Sequence, residues 1–473
     1  MKNLFKITVI HGKTVLETQA EKETRLSDVL IKNKTAAVHP CGCTGRCKKC
    51  TVNVNGKNVL SCRYIIESDI KVIIPERSDV LSPSADDTRI TENGEMFFAL
   101  DIGTTTVALA LCSYNTKNAV YSVTFDNPQR IFGADVISRI SYCTKNGTDE
   151  LNKVLIEKIN SEISDILSKA GKTHVEKLYA AGNTTMLHLF LNTDVSSIGV
   201  APFKPVFLES KINNASELGI KNIDKVITLP SISSFAGADI VSGLLFCSMP
   251  EKGKYNLLVD LGTNAEIVLY SSDRILCTSA AAGPCFEGAN ISCGMSAVGG
   301  ALYSYKQDGT FEVFSGDDPD GICATGLIDL IAVLLKKGII DSTGLLAGKE
   351  FEITESVKLT QEDVRQFQLA KSAVFSAVKV LVSRAGINYS DIENFFVAGG
   401  FSSKMNIDNA VMTGLFPVEL KEKFKPVNNS SLKGVIKYVS ENADIFEYTK
   451  NSNYVDLSSD KDFADLFIKN MMF

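Results

Sequence analysis

A strand that ends in Asp, turns on Gly-Thr and returns as a second strand occurs twice in this chain, at Phe97–Leu111 and at Leu257–Tyr270. Two copies of one supersecondary unit imply two similar lobes facing each other across a cleft, which constrains the fold more than any single motif. In each copy the Asp closes an apolar strand, and the next residues offer backbone N–H groups and hydroxyls: Asp101-Ile102-Gly103-Thr104-Thr105-Thr106 and Asp260-Leu261-Gly262-Thr263-Asn264. Gly103 and Gly262 permit a turn tight enough for the backbone to approach an anion. Neither copy is a Gly-x4-Gly-Lys-Ser/Thr loop. One such turn could be a plain hairpin; its recurrence argues for two turns gripping one phosphate chain. Two carboxylates at opposing strand ends can hold Mg²⁺ through water, because that ion keeps most of its hydration shell. Later, Val397-Ala398-Gly399-Gly400-Phe401-Ser402 reads as a strand end followed by a Gly pair. There a flat base and its ribose can lie against backbone free of side chains.

From Met96 onward strands alternate with helices, so the class is α/β. Asp149–Lys169 carries a helical apolar stripe and stops at Gly171; Val364–Arg384 is a second long helix. Strand patterns occupy Lys177–Ala180, Asn256–Asp260, Ala265–Tyr270 and Asn394–Ala398. Between Glu76 and Gly94 the sequence turns polar and loses apolar periodicity. The expected division is therefore residues 1–76, a flexible linker over 77–95, and a two-lobed domain over 96–473.

The first of these segments contains a comb of cysteines, Cys41, Cys47, Cys50 and Cys62. Two irons bridged by two sulfides need four thiolates within a few ångströms, three from a tight loop and one from a second segment. The spacing here, Cys-x5-Cys-x2-Cys, is one residue longer than the plant-type pattern. Cys43 does not restore it, so Cys41 is taken as the ligand and Cys43 as a neighbour. Zinc is the competing occupant, but zinc sites of this kind usually show paired Cys-x2-Cys units and only one is present. Around the comb, Phe5–Ile10 and Thr14–Thr18 pattern as a hairpin, Leu26–Lys32 as a helix, and Thr51–Val54 and Val72–Pro75 as strands. That arrangement resembles a β-grasp ferredoxin domain carrying a 2Fe-2S cluster.

At 473 residues and 45% hydrophobic content the chain can bury large cores. No run of eighteen apolar residues occurs, and the start leads into strand pattern, so neither a membrane span nor a signal segment is expected and the location is read as cytoplasmic. Seven of the twelve cysteines are scattered beyond residue 76 without disulfide-scaffold spacing. Residues 1–76 carry 13 Lys and Arg against 7 Asp and Glu, a net +6, whereas the remainder is at −12. Arg46, Lys48, Lys49 and Arg63 stand beside the comb, where a basic rim would steer an acidic redox partner. Overall acidity without an aromatic–basic platform argues against nucleic acid.

The two Asp turns and the Gly pair, in this order, resemble the superfamily of acetate and sugar kinases, heat-shock ATPases and actin, whose ribonuclease-H-like lobes clamp ATP. Longer runs narrow the resemblance. Asn127-Pro128-Gln129, Phe132-Gly133-Ala134-Asp135-Val136, Ala181-Gly182-Asn183-Thr184-Thr185-Met186, Gly237-Ala238-Asp239, Asp260–Glu266, Ala282-Gly283-Pro284-Cys285-Phe286-Glu287-Gly288, Gly321–Asp329 and Ala398–Phe401 are similar to the reductive activators of corrinoid-dependent enzymes. Those proteins join an N-terminal 2Fe-2S domain to an ATPase domain. Larger members place an extra domain between the two, and the chain is read as a short form in which about twenty polar residues take its place.

The resemblance implies an ATP-hydrolysing iron-sulfur oxidoreductase with ATP, Mg²⁺ and a 2Fe-2S cluster as cofactors. Asp101 and Asp260 become magnesium and phosphate residues; Gly103, Thr104, Thr105, Thr106, Gly262, Thr263 and Asn264 meet the phosphates; Gly399 and Gly400 lie near adenosine. Glu266 and Glu287 are candidates for positioning the attacking water. Asp135 and Asp239 read equally well as helix-start carboxylates, and His188 as a packed side chain. The implied partners are a corrinoid protein or corrinoid-dependent methyltransferase and an upstream low-potential electron donor, with a homodimer as the assembly. Plant-type clusters sit near about −400 mV. Tighter binding of one corrinoid state by about 5.5 kcal/mol would shift a one-electron potential by roughly 240 mV. The alternatives are an activator of 2-hydroxyacyl-CoA dehydratase type and a redox- and nucleotide-sensing binding module.

Overall fold

The computed structural model describes residues 4–11, 14–33, 35, 50–74 and 94–473. Cys41, Cys43, Cys47, Arg46, Lys48, Lys49 and nearly all of the expected linker lie outside the described residues.

The N-terminal elements are β1 (Leu4–His11), β2 (Thr14–Glu21), α1 (Leu26–Lys32), β3 (Thr51–Val54), β4 (Lys57–Leu60) and β5 (Ile70–Ile73). They form one five-stranded sheet in the order β2-β1-β5-β3-β4. Its apolar face, including Ile7, Val9, Val52, Val54 and Val72, packs on Leu26, Val29 and Leu30 of α1. The closing strand starts at Ile70, two residues before its sequence-expected start, because Ile70 supplies an alternate inward position. Asn55 and Gly56 join β3 to β4 with φ of +49° and +88°, the left-handed pair that a two-residue hairpin needs. That turn sets the register so that Thr51 faces Leu60. Cys50 and Cys62, just outside the two strand ends, are thereby brought together.

The first lobe comprises β6 (Met96–Ile102), β7 (Thr106–Ser113), β8 (Ala119–Asp126), α2 (Val136–Asn146), α3 (Asp149–Lys169), β9 (Val175–Gly182), α4 (Thr184–Phe190), β10 (Lys211–Asn214), β11 (Ile223–Thr228) and α5 (Ala238–Cys247). The second lobe begins with β12 (Tyr255–Leu261), β13 (Ala265–Tyr270) and β14 (Ile275–Ala280). Next come a small sheet of β15 (Ala301–Tyr305), β16 (Phe311–Val313) and β17 (Gly321–Ile322), then α6 (Ala324–Lys336) and the pair β18 (Glu350–Glu352) and β19 (Lys358–Thr360). It finishes with α7 (Gln361–Ala385), β20 (Ile392–Ala398), α8 (Ile407–Met412), β21 (Phe424–Val427), α9 (Ser430–Glu441), α10 (Glu447–Lys450), β22 (Ser452–Tyr454) and α11 (Lys461–Lys469). Helix α7 begins three residues before its apolar stripe, since Thr360 and Asp363 form a capping box that the stripe does not reveal.

The two large sheets share a plan: β10-β11-β9-β6-β7-β8 in the first lobe and β21-β20-β12-β13-β14-β22 in the second. In each, three antiparallel strands continue into a parallel neighbour, β9 beside β6 and β20 beside β12. The second sheet is buried on both faces. Leu257, Val259, Phe395 and Val397 point to the core formed with α6 and α7, while Leu258, Val268, Phe396 and Ala398 join the first lobe's core. Period-two alternation divides the two sets.

Helices α5 and α9 lie between the sheets and cross at small residues. A Cβ on Gly434 would stand 1.8 Å from the Ser242 carbonyl oxygen, and one on Gly243 would stand 3.0 Å from the Ser430 hydroxyl. Only a residue without a side chain at 434 allows this approach. Gly434→Ala should therefore force the helices apart, lowering stability by about 1–3 kcal/mol as overpacked cores do, with the loss read from chemical denaturation midpoints. Gly147→Ala is the comparison at a glycine with open space around it, where the strain of a φ of +79° is the whole cost.

Candidate functional site

The cleft between the lobes has a volume of about 1250 Å³. Asp101, Gly103–Thr106, Asp260, Gly262–Asn264, Glu266, Glu287, Gly399 and Gly400 all line it, together with Asp135, Asn183, Asp239, Asn429, Ser431, Lys404 and Lys433. The shared sheet plan explains the convergence. Asp101 ends β6 between Ala108 of β7 and Ala181 of β9, and Asp260 ends β12 between Glu266 of β13 and Ala398 of β20. Both strands deliver their Asp at the edge facing the cleft.

The first turn is held from behind. The Arg139 guanidinium, fully buried in α2, donates to the Thr104 carbonyl (2.6 Å) and the Gly133 carbonyl (3.0 Å). Asn127 donates to the Gly103 carbonyl at 2.8 Å, and the Asn183 amide donates to the Thr104 hydroxyl at 2.9 Å. With its carbonyls engaged, the turn presents its remaining groups to the cleft. Burial, then the charge of Arg130, lowers the Arg139 pKa to about 9, so it still carries its charge at neutral pH.

Glu287 is the last residue of a short 3-10 turn, Pro284–Glu287, in the second lobe. Its carboxylate accepts from the Thr263 hydroxyl of its own lobe at 2.8 Å and from the Thr105 hydroxyl of the other lobe at 3.0 Å. It also lies over the second turn, 3.7 Å from where a Cβ of Gly262 would be.

Four of the other carboxyls that line the cleft hold their protons more tightly than usual. Burial raises the Asp101 pKa to about 6, against hydrogen bonds from Ser431 (2.7 Å to its hydroxyl) and Asn429. Asp239 is pushed to about 7 by burial and then by the charges of Asp101 and Asp260. Asp260 rises to about 7 through burial, Asp101 and Glu287. Glu266 is raised well above the carboxylate range by burial, Asp239 and Asp260, and accepts a hydrogen bond from Ser279 at 3.3 Å. Such a cluster calls for a cation. Among the described residues no three of His, Cys, Asp and Glu are grouped to ligate one metal ion directly.

After β20, Gly399 has a φ of +119°, and a Cβ there would come within 2.9 Å of the Leu261 carbonyl oxygen; a Cβ on Gly400 would meet nothing within 4 Å. Gly399 thus satisfies the backbone and Gly400 keeps the cleft wall bare.

Asp135 is the N-cap of α2 in a capping box with Ser138, and it reaches the cleft as well. Asp239 is more than a helix-start residue: it sits in the first turn of α5 and joins the carboxyl cluster. His188 is fully buried, hydrogen-bonded to Thr184 and Val206 and stacked on Phe207, away from the cleft. Sequence reasoning missed Arg139, Ser431 and Asn429. The run Asn428-Asn429-Ser430-Ser431 before an amphipathic helix is a helix-start signal that could have marked the last two; nothing distinguishes Arg139 from a solvated helical arginine.

In the N-terminal sheet, the buried thiols of Cys50 and Cys62 stand 3.2 Å apart and neither is in a disulfide. Two converging thiols outside any disulfide are what a metal cluster needs from this hairpin. No helix among the described residues is long and apolar enough to cross a membrane.

Two family models match adjacent stretches, the RACo middle region over residues 97–252 and the C-terminal domain of RACo, the ASKHA domain, over residues 254–473. Over both stretches the chain is similar to the RACo proteins. Its relatives include the corrinoid activation enzyme RamQ of Eubacterium limosum, 26% identical with 97% of each chain covered. Another is the Co(II) methylated amine-specific corrinoid protein reductase of Methanosarcina barkeri, 28% identical over 74% of this chain and 72% of that one. Among solved structures, the reductive activator for corrinoid, iron-sulfur protein superposes with a TM-score of 0.72 at 25% identity, covering 99% and 98% of the two chains. The family match corrects the expectation of a short form lacking the middle region. That region is present and is the first lobe itself, so the polar stretch over 77–95 replaces nothing.

The raised carboxyls set a pH dependence. Folded Asp101, Asp239 and Asp260 keep protons that the unfolded chain releases near its ordinary values, so their stabilising contribution is present at low pH and is lost as pH climbs from about 4 towards 7. Asp239→Asn should raise the melting temperature of nucleotide-free protein more at pH 8 than at pH 5, as measured by scanning calorimetry.

Proposed function

We propose that the chain is an ATP-dependent reductive activator that passes one electron from an N-terminal 2Fe-2S cluster to the cobalt(II) corrinoid of a partner protein, restoring cobalt(I). The observation that carries this is the pairing, on one chain, of converging thiols in a β-grasp sheet with a two-lobed cleft whose Asp turns face each other. Similarity along almost the whole chain to an enzyme named for corrinoid activation supports the same conclusion.

Cys41, Cys47, Cys50 and Cys62 hold the cluster, which when bound supplies a one-electron donor of low potential. The β3–β4 hairpin presets the Cys50–Cys62 pair, so cluster assembly does not have to order that half of the ligand set. In the cleft, backbone N–H groups of Gly103–Thr106 and Gly262–Asn264 bind the phosphates. Asp101 and Asp260 are the carboxylates that would hold magnesium through water, and with their pKa values raised to about 6 and about 7 they would give up protons near neutral pH on taking up a cation. Gly399 and Gly400 receive adenosine, while Glu266 and Glu287 stand where an attacking water can be oriented. Because the cleft is built from both lobes, nucleotide favours the closed arrangement, and opening follows release. Lobe position then sets how tightly the corrinoid partner is held, and an external low-potential donor restores the cluster. The active assembly is a homodimer in the cytoplasm.

Purified protein should contain about two irons and two sulfides per chain by the four-thiolate chemistry, and Cys62→Ala should lose most of both while still binding nucleotide. Visible absorbance of a corrinoid protein should report cobalt(I) only when reduced activator, ATP and Mg²⁺ are all present. Reduction at equal rate without nucleotide would sink the coupling.

A further inference from the structure

We infer that Glu287 is an internal occupant of the terminal-phosphate seat, a latch that a nucleoside triphosphate displaces and a diphosphate leaves in place. This rests on the cleft being a nucleotide site and adds to it how the protein distinguishes the two nucleotides.

One carboxylate takes a hydroxyl hydrogen bond from each phosphate turn, Thr105 in the first lobe and Thr263 in the second. These are the donors that a phosphoryl group spanning the two turns would use, and a carboxylate is the side chain nearest to it in charge and acceptor geometry. The carboxylate also lies against Gly262, at the position where the backbone is bare enough for a phosphate to approach. Without nucleotide, the contact through Thr105 ties the lobes together across the cleft. A triphosphate cannot reach both hydroxyls while the carboxylate holds them, since two anions would share one set of donors. Its terminal group must expel Glu287, after which the lobes are joined through the phosphate instead. A diphosphate, one phosphoryl shorter, leaves the Thr105–Glu287–Thr263 bridge intact. Glu287 therefore lowers affinity for the triphosphate selectively, and its displacement is the event that reports the nucleotide's third phosphate to the arrangement of the lobes.

The test is calorimetric binding of a non-hydrolysable ATP analogue and of ADP, each with Mg²⁺, to the full-length parent, Glu287→Gln and Glu287→Ala. The latch predicts that Glu287→Ala binds the triphosphate at least about tenfold more tightly, a difference of about 1.4 kcal/mol, while ADP affinity stays within about threefold, or 0.6 kcal/mol. Glu287→Gln, close to isosteric and uncharged, falls between. Unchanged or weaker triphosphate binding with a lower turnover number would overturn the latch and leave Glu287 as a group acting on the water alone. Equal tightening for both nucleotides would overturn the discrimination. If the folded parent binds neither nucleotide, the reading of the cleft itself fails, a result distinct from either of these.

Discussion

The close crossing of α5 and α9 is the contact on which the two-lobed arrangement depends. Gly434 sits against the Ser242 carbonyl at a separation no side chain could share, and Ser242 and Ser431 hydroxyls meet at 3.4 Å in the same crossing. The N-terminal turns of both helices open directly into the cleft. Helix α9 thereby delivers Ser431 to Asp101, and α5 delivers Asp239 to the carboxyl cluster. A pivot made of backbone in contact with backbone can rotate but can hardly separate, because separating it exposes an apolar core continuous from one sheet to the other. Any closing of the cleft would turn about this crossing, the point at which the lobes are held together.

What opposes that closure is charge. Asp101, Asp239, Asp260 and Glu266 each have their proton affinity raised first by burial, and the last three also by their neighbours. Their crowding is relieved by protonation. Glu287 differs from these four, because hydroxyls from both lobes satisfy it. The cleft thus contains both a group of crowded acids and one acid already satisfied by hydroxyls of both lobes.

Much of this was legible from one sequence. Helices α1 and α3 fall where their apolar periodicity places them, and the repeated Asp-Gly-Thr unit marks the cleft edge of each sheet. The residues assigned to the nucleotide from those turns, and the Gly pair after β20, all line one cleft. Other features were hidden for identifiable reasons. The capping box of α7 lies ahead of its stripe. Asp239 has the sequence setting of any helix-start acid, and only the strand ends opposite it make it part of the site. Arg139 looks like a surface residue of an amphipathic helix, yet it is fully buried because the Thr104 and Gly133 carbonyls need a donor. That the first lobe matches a region of its own was hidden, since its likeness to the second lobe reads as a simple repeat.

By itself the sequence determined the local chemistry: which strands end in carboxylates, which turns leave the backbone bare, and which hairpin brings Cys50 to Cys62. These follow from period-two patterning, turn residues and spacing, all short-range properties. Only the tertiary structure decided which groups face one another across the lobes. The bridge from Thr105 through Glu287 to Thr263 joins residues 182 positions apart, and the hydrogen bond from Ser431 to Asp101 joins residues 330 apart. No local pattern encodes such distances. They are set by how two sheets of the same plan settle on a pair of helices that meet at a glycine.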